Sequence, residues 1–517
     1  MTRMDRQPAR QGAHALVIGA GLGGLASAMR LGARGYRVTV IDKLDVPGGR
    51  GSAIWKDGHR FDLGPTIVTV PQVFKELWAA CGRDFHAEVD LRPLDPFYEI
   101  RWPDGSRFTA SGSTDRMIEE VRRLSPGDVE GYKKFLRDSE ARYWFGFEDL
   151  GRRSMHRLRD LIEVLPKFAL LRADRSVYGH AAKRVRDERL RMALSFHPLF
   201  IGGDPFNVTS MYILVSHLEK EFGVHYAMGG VAEMARCMGE VIKDQGGVLR
   251  LNTEVDEILV KDNRARGVRL KTGEIVTADV VVSNADSGFT YDHLLRNHPR
   301  KRWTGPRLKR SRWSMGLYVW YFGTRGTRQM WPDVGHHTIV NGPRYRGLVK
   351  DIFIKGKVAE DMSLYVHRPS ATDPTAAPEG DDTFYVLSPV PHLGHAQSAD
   401  WDKIGEAYRA RMIKMLDEQL IPGFADRITA QETFTPNSFR DRYCSPFGTG
   451  FSIEPRIFQS AWFRPHNVSE ECEGLYLTGA GTHPGAGLPG VVSSAEVLSK
   501  LVPDPELVFS DERMAAE

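Results

Sequence analysis
The residues best placed to do chemistry lie near the start of the chain. Gly19, Gly21 and Gly24 stand in the spacing G-x-G-x-x-G directly after the apolar run Ala15-Leu16-Val17-Ile18, and Asp42 closes a second run, Arg37-Val38-Thr39-Val40-Ile41. The chemistry they serve is binding rather than bond breaking. Gly19 makes a tight turn, Gly21 lets backbone approach a pyrophosphate, and Gly24 lets the following helix pack close to the strand, so the helix N-terminus presents N–H groups to phosphate. Asp42 lies 18 residues beyond Gly24, where a carboxylate accepts hydrogen bonds from ribose hydroxyls. No Ser-His-Asp, Cys-His or metal-ligand constellation accompanies the fingerprint. No metal site is therefore expected, and the sequence assigns no catalytic acid or base.

Two further loops extend the fingerprint. Pro47-Gly48-Gly49-Arg50-Gly51 follows almost at once, then Phe61-Asp62-Leu63-Gly64-Pro65-Thr66. A second glycine loop carrying an arginine suits a cofactor that needs more backbone and a cation along its phosphates and ring. Near the other end, the strand-like Leu475-Tyr476-Leu477 runs into Thr478-Gly479-Ala480-Gly481-Thr482-His483-Pro484-Gly485-Ala486-Gly487-Leu488-Pro489-Gly490-Val491. A helix is expected from about residue 490, with Pro489 in its first turn and its positive end toward something anionic. Glycine loops at both ends of one chain point to a discontinuous cofactor domain.

Positioning these loops takes more than one core. A chain of 517 residues implies two or three domains, and 41% apolar with 26% charged residues is the composition of a folded protein. Phe97 to Ala110 reads as a hairpin turning at Asp104-Gly105, residues 112–222 as helical, 248–284 as strands again, and about 300–450 as mixed. Cys81, Cys237, Cys444 and Cys472 are scattered without CxxC spacing, which argues against a disulfide framework or a zinc site. Residues 1–12 are polar and no uncharged apolar stretch reaches 18 residues, so neither a signal peptide nor a spanning helix is expected. The expected location is cytoplasmic, with peripheral attachment to a membrane.

Charge and aromatic clusters add further expectations. Net charge is only +4, but eight Lys or Arg residues fall between Arg296 and Arg312, with Trp303 and Trp313 interleaved. Anionic lipid headgroups match this run better than nucleic acid, and no nucleic-acid partner is expected. The mixed apolar and basic segment from Met155 to Arg172 is either an interfacial helix or an internal helix pair broken at Pro166. Tyr143-Trp144-Phe145 and Trp320-Tyr321-Phe322 either line a tunnel or pack in cores.

Taken with Ser195-Phe196-His197-Pro198-Leu199, Gly202-Gly203-Asp204-Pro205-Phe206, Ser388-Pro389-Val390-Pro391-His392-Leu393 and Ser460-Ala461-Trp462-Phe463-Arg464-Pro465-His466-Asn467, the loops resemble the bacterial-type phytoene desaturases over nearly the whole chain. These are amine-oxidase-like flavoproteins of carotenoid biosynthesis. The resemblance implies an α/β fold: a discontinuous Rossmann-type FAD-binding domain (13–90, 225–295 and 450–505), a mixed α+β substrate domain (91–130 and 296–449) and a helical, membrane-facing subdomain (131–224). It implies FAD as cofactor, a C40 polyene (15-cis-phytoene) as substrate, stepwise dehydrogenation to neurosporene or lycopene by hydride transfer to the flavin, a membrane surface as partner, and oxygen or quinone as electron acceptor. By the family pattern Gly19, Gly21 and Gly24 hold the pyrophosphate and Asp42 the adenosine ribose. Gly49 and Arg50 lie along the flavin–phosphate side and Pro65 and Thr66 near the ring; Val255 meets the adenine through its backbone, and Gly481 and Val491 flank the ribityl chain and pyrimidine edge. His197 and His483, in family-like stretches, are expected to be structural. The alternatives are another carotenoid-modifying flavoenzyme (3,4-desaturase, isomerase or saturase), an amine oxidase, or a non-catalytic prenyl-lipid carrier.

Overall fold
The computed structural model describes residues 12–395 and 399–508. Nearly all of the N-terminal segment in which no signal peptide is expected lies outside them. At the centre is a five-stranded sheet in the order Val248–Arg250, Arg37–Ile41, His14–Ile18, Val280–Ser283, Leu475–Leu477, with every pairing parallel. Parallel neighbours cannot be joined by a tight hairpin, so each return requires a crossover, and both faces of the sheet end up covered. Period-2 alternation divides each strand between two cores. Ala15, Val17, Val38, Val40, Val280 and Val282 pack toward the helices Leu22–Ala33, Gly230–Asp244 and Leu488–Ser499. Leu16, Ile18, Ile41 and Val281 pack instead against a three-stranded antiparallel sheet of Val255–Lys261, Arg264–Leu270 and Ile275–Thr277.

A seven-stranded sheet stands beside this unit in the order Ile428–Phe434, Gly316–Thr324, Asp382–Val390, Leu364–His367, His337–Val340, Tyr98–Arg101, Arg107–Ala110. Its pairings are antiparallel except that His337–Val340 runs parallel to Tyr98–Arg101. One face carries Trp320, Phe322, Val366 and Phe384 under the helix Trp401–Gln419, through Tyr408, Met412 and Leu416. The opposite face carries Leu317, Tyr321, Tyr365 and Tyr385 toward the centre of the molecule. Trp320-Tyr321-Phe322 therefore forms core on both sides of a sheet and lines no tunnel.

Between Val129 and Phe222 the chain is helical, with Val129–Tyr143, Leu158–Leu170, Val177–Arg184, Glu188–Ala193 and Leu214–Phe222 as its α-helices. Pro166 does not break the chain into a helix pair; it sits inside the single helix Leu158–Leu170. It has no N–H for the carbonyl of Ile162, but Ile162 and Pro166 are exposed, so water can reach the freed acceptor. Of the other aromatic cluster, Tyr143 joins the main core, Phe145 packs on Phe168 with centroids 5.4 Å apart, and Trp144 is exposed. Half of the basic run is engaged within the molecule, while Lys301, Lys309, Arg310 and Arg312 are exposed. Arg296 pairs with Asp256 (2.7 Å) and Arg300 with Asp292 (3.1 Å), while Arg302 and Arg307 lie over the rings of Trp462 and Trp303.

Tight packing at the first glycine turn gives a stability test. A Cβ on Gly24 would stand 2.0 Å from the Gly19 carbonyl oxygen. Backbone cannot yield as a flexible side chain does, so Gly24→Ala is expected to cost about 1–3 kcal/mol or more. The measured outcome is a lowered thermal midpoint; an unchanged midpoint would show that the helix start relaxes freely.

Candidate functional site
A cavity of about 620 Å³ runs between the two sheets and the helical layer. The helix Leu22–Ala33 starts on it. Gly21 is the N-cap residue and offers no side-chain cap, and Gly21, Leu22 and Gly23 lie on the wall. The helix Leu488–Ser499 starts on the same cavity, again uncapped by a side chain, after Gly487. Two helix N-termini thus direct partial positive charge and unpaired N–H groups into one space.

The glycines keep that space open. A Cβ on Gly21 would meet the Asn284 Oδ1 at 2.7 Å, one on Gly23 the Asn284 Nδ2 at 2.7 Å, and one on Gly479 the same Nδ2 at 2.5 Å. Gly49, at φ +56°, would place a Cβ 3.2 Å from the Gly21 Cα. Asp42 follows its strand onto the wall, where its carboxylate accepts the backbone N–H of Ala20 (2.6 Å) and of Leu44 (2.7 Å). Burial pushes its pKa up, against the pull of those two donors. Arg50 donates to the Ser445 Oγ (2.8 Å) and lies near Asp286. Burial lowers the Arg50 pKa and raises that of Asp286, and each charge partly offsets the shift of the other. A glycine cradle, two uncapped helix starts, an arginine and an acid beyond a βαβ crossover fit a flavin dinucleotide.

Asp42, Gly19, Gly21, Gly49, Arg50, Pro65, Thr66, Val255, Gly481 and Val491 all line this one cavity. Gly24 does not. It is the third residue of the helix, and its missing side chain leaves room for the Gly19 carbonyl. Asn284, close to five glycine positions of the cradle, carried no signal in the sequence beyond following the buried run Val280–Ser283.

Beyond the cradle the wall turns apolar, with Phe147, Phe200, Met211, Leu214, Leu317 and Tyr385 among its residues. The thread ends at a mouth formed by Leu165 (50% exposed) and Phe458 (74% exposed). His483 lies on the wall with Nε2 2.8 Å from the Leu150 carbonyl oxygen, and burial lowers its pKa to about 4, so it stands as a neutral ring. His197 also lies on the wall, within 3.2 Å of Glu219. Thr66 is hydrogen-bonded to the hydroxyl of Tyr365 (2.6 Å), and that hydroxyl also meets the His337 Nδ1 (2.7 Å). Behind it stands a buried group that the sequence reading did not assemble: His336, His337 and His367 place ring nitrogens within 4.8 Å of one another. Burial lowers the His336 pKa to about 3 and holds the other two well below the ordinary value, so all three rings are neutral.

Residues 22–498 match the family of flavin-containing amine oxidoreductases. The chain is 70% identical over 514 residues to a neurosporene-forming phytoene desaturase of Cereibacter sphaeroides, covering 99% of both chains. It is 66% identical to the neurosporene-forming enzyme of Rhodobacter capsulatus, over 95% of this chain and 94% of that one. Among solved structures, an oxidoreductase from Methanosarcina mazei superposes with a TM-score of 0.63 at 19% identity, covering 94% of this chain and all of the other, which shows a shared fold.

Asp42 allows a direct test of the nucleotide end. Asp42→Ala removes the carboxylate expected to accept from the ribose and leaves the Ala20 and Leu44 N–H groups unpaired. A charged hydrogen bond contributes about 1.5–3 kcal/mol, so FAD affinity is expected to fall at least tenfold, read by flavin fluorescence on titration of the apoprotein. An unchanged affinity would place the ribose elsewhere.

Proposed function
The chain belongs to the flavin-containing amine oxidoreductase family and, within it, to the bacterial phytoene desaturases, and from that premise we propose that it dehydrogenates phytoene stepwise on bound FAD and stops at neurosporene. One observation carries the reading: a single cavity joins the glycine cradle and two helix N-termini to an apolar channel with an exposed mouth.

Phytoene has no acidic proton and no leaving group, so its dehydrogenation requires an electron acceptor; FAD, when bound, supplies one by taking up a hydride. The chain's own residues bind, orient and exclude water. With FAD bound, Gly21, Gly23 and Gly49 would bring backbone to its pyrophosphate, Asp42 would hold its ribose, and Arg50 would supply a cation for its phosphates. The Leu488–Ser499 helix start favours the negative charge that a reduced flavin carries. The apolar wall aligns the polyene and keeps water from the reacting carbons. Oxygen or a quinone removes the electrons before the next turnover.

The substrate is a hydrocarbon that resides in a bilayer, and the mouth of the channel has the surface to meet one. Leu158, Ile162, Leu165 and Leu170 are 59%, 60%, 50% and 81% exposed along one helix, beside Phe458. Arg159, Lys167 and Arg172 stand around them, more than half exposed. An apolar stripe edged with cations is the pattern of a helix lying in the membrane interface. Among the described residues no helix is long and apolar enough to cross a membrane, so the proposed attachment is peripheral.

Two measurements test this. Under nitrogen, phytoene in liposomes is expected to bleach the flavin of the purified protein; with oxygen or quinone restored, chromatography should show neurosporene as the end product. A flavin that stays oxidised would remove the reading, and lycopene as the end product would correct the number of steps. For the surface, Ile162→Glu and Leu170→Glu are each expected to weaken co-sedimentation with anionic vesicles about tenfold or more, since burying such a side chain contributes about 1.5–3 kcal/mol. Their thermal midpoints should not change. Undiminished sedimentation of the double variant would move the docking surface elsewhere.

A further inference from the structure
Each desaturation removes two hydrogens, and only one leaves as hydride. The other leaves the neighbouring carbon as a proton, its electron pair becoming the new double bond. That proton is released into a channel whose wall is almost wholly apolar, so something on the wall must accept it.

Four acids reach the cavity: Asp42, Glu219, Glu254 and Asp286. Asp42 and Glu254 are at the nucleotide end, and Asp286 faces Arg50. Glu219 alone lies on the apolar stretch, one face of its helix giving Leu214, Val215 and Leu218 to the same wall. Its carboxylate is 12% exposed and accepts from the Tyr98 hydroxyl (3.0 Å), with the His197 Nε2 at 3.2 Å. Burial and the adjacent Glu219 hold the Tyr98 pKa well above its usual value, so this partner remains a donor.

Two chains of contact connect the group to the residues at the cofactor end of the channel. The helix Leu214–Phe222 packs on the strand Val68–Thr69, which packs in turn on the helix Leu488–Ser499. Rings also connect it to Thr66: Phe196 stacks on His197 (4.3 Å), Phe200 meets Phe196 (5.5 Å), and Tyr365, bonded to Thr66, meets Phe200 (5.1 Å).

The same residues also open outward. Glu219, His197 and Tyr98 line a second cavity of about 40 Å³, which reaches Thr114 and the exposed Lys220. That space is large enough for a water molecule. Glu219, with Tyr98 and His197, therefore stands between the channel and a small cavity on the solvent side.

We propose that Glu219 is the proton acceptor of the desaturation, held in place by Tyr98 and His197, and that it returns the proton to solvent through the small cavity. The C–H bond next to the hydride-losing carbon breaks, its electrons form the C=C bond, and the proton forms an O–H bond on Glu219. The proposal rests on the phytoene desaturase reading.

The test uses holoenzyme, anaerobic single turnover and phytoene deuterated at the carbon that loses the proton. For Glu219→Gln, which keeps an acceptor for Tyr98, kcat is expected to fall about a hundredfold or more. KM and FAD content should hold, and the deuterium isotope effect should rise above that of the wild type, because proton loss becomes limiting. A merely structural role predicts a raised KM with no change in isotope effect in a variant that keeps its flavin, and that result overturns the proposal while wild-type turnover keeps the parent reading intact. Tyr365→Phe removes the other hydroxyl-to-imidazole path on this wall; an isotope effect raised there instead of at Glu219 also overturns it. Should Glu219→Gln not retain FAD, Glu219→Asp withdraws the same carboxylate by one methylene, and an unaltered isotope effect in that variant counts against the proposal. A wild-type flavin that phytoene does not bleach removes the parent reading, and this proposal with it.

Discussion
The nucleotide end of the cavity depends on how closely two backbone segments approach the side chain of Asn284. Gly21, Gly23 and Gly24 come at it from the first helix start, and Gly479 from the loop after the last strand. A methyl group at any of these positions would fall within 3.2 Å of an Asn284 atom. Asn284 also donates from Nδ2 to the Thr478 carbonyl (3.2 Å), tying the last loop to the strand at whose end it stands. The two helix starts can share one ligand only because nothing larger than hydrogen occupies these positions.

That constraint explains what was legible in the sequence. The Gly19–Asp42 segment and the Gly479–Val491 loop can be read because their geometry is local: turn, helix start and acid are fixed by spacing alone. Asn284 is different. It is one polar residue after a buried strand, and its role exists only once Val280–Ser283 has paired with both His14–Ile18 and Leu475–Leu477. Gly24 illustrates the converse, since its motif position is legible but the spacing cannot separate a ligand contact from a packing contact.

The apolar channel was less legible, for physical reasons. Its wall is drawn from helices, strands and loops far apart in sequence, and apolar residues facing a cavity have the same periodicity as those facing a core. Trp320-Tyr321-Phe322 shows the difficulty, since a strand buried on both faces carries no mark of which side is empty. Glu219 is harder still. In Leu214–Phe222 it stands among Lys220 and Glu221, which give the look of a solvated face, and only the meeting with Tyr98 and His197 from two other segments draws it inward.

The order of strands in the parallel sheet bears on how the protein is made. His14–Ile18 is synthesised well before its neighbour Val280–Ser283, and Leu475–Leu477 follows later still. Contacts of such long sequence separation form late and leave strand edges uncovered in the meantime. The second helix start facing the cavity follows all five strands of that sheet, so a nascent chain that has not yet passed Leu488–Ser499 cannot enclose its cofactor. Until that helix and the strand Leu475–Leu477 have been made, the cofactor site is incomplete and the growing polypeptide carries an open parallel edge.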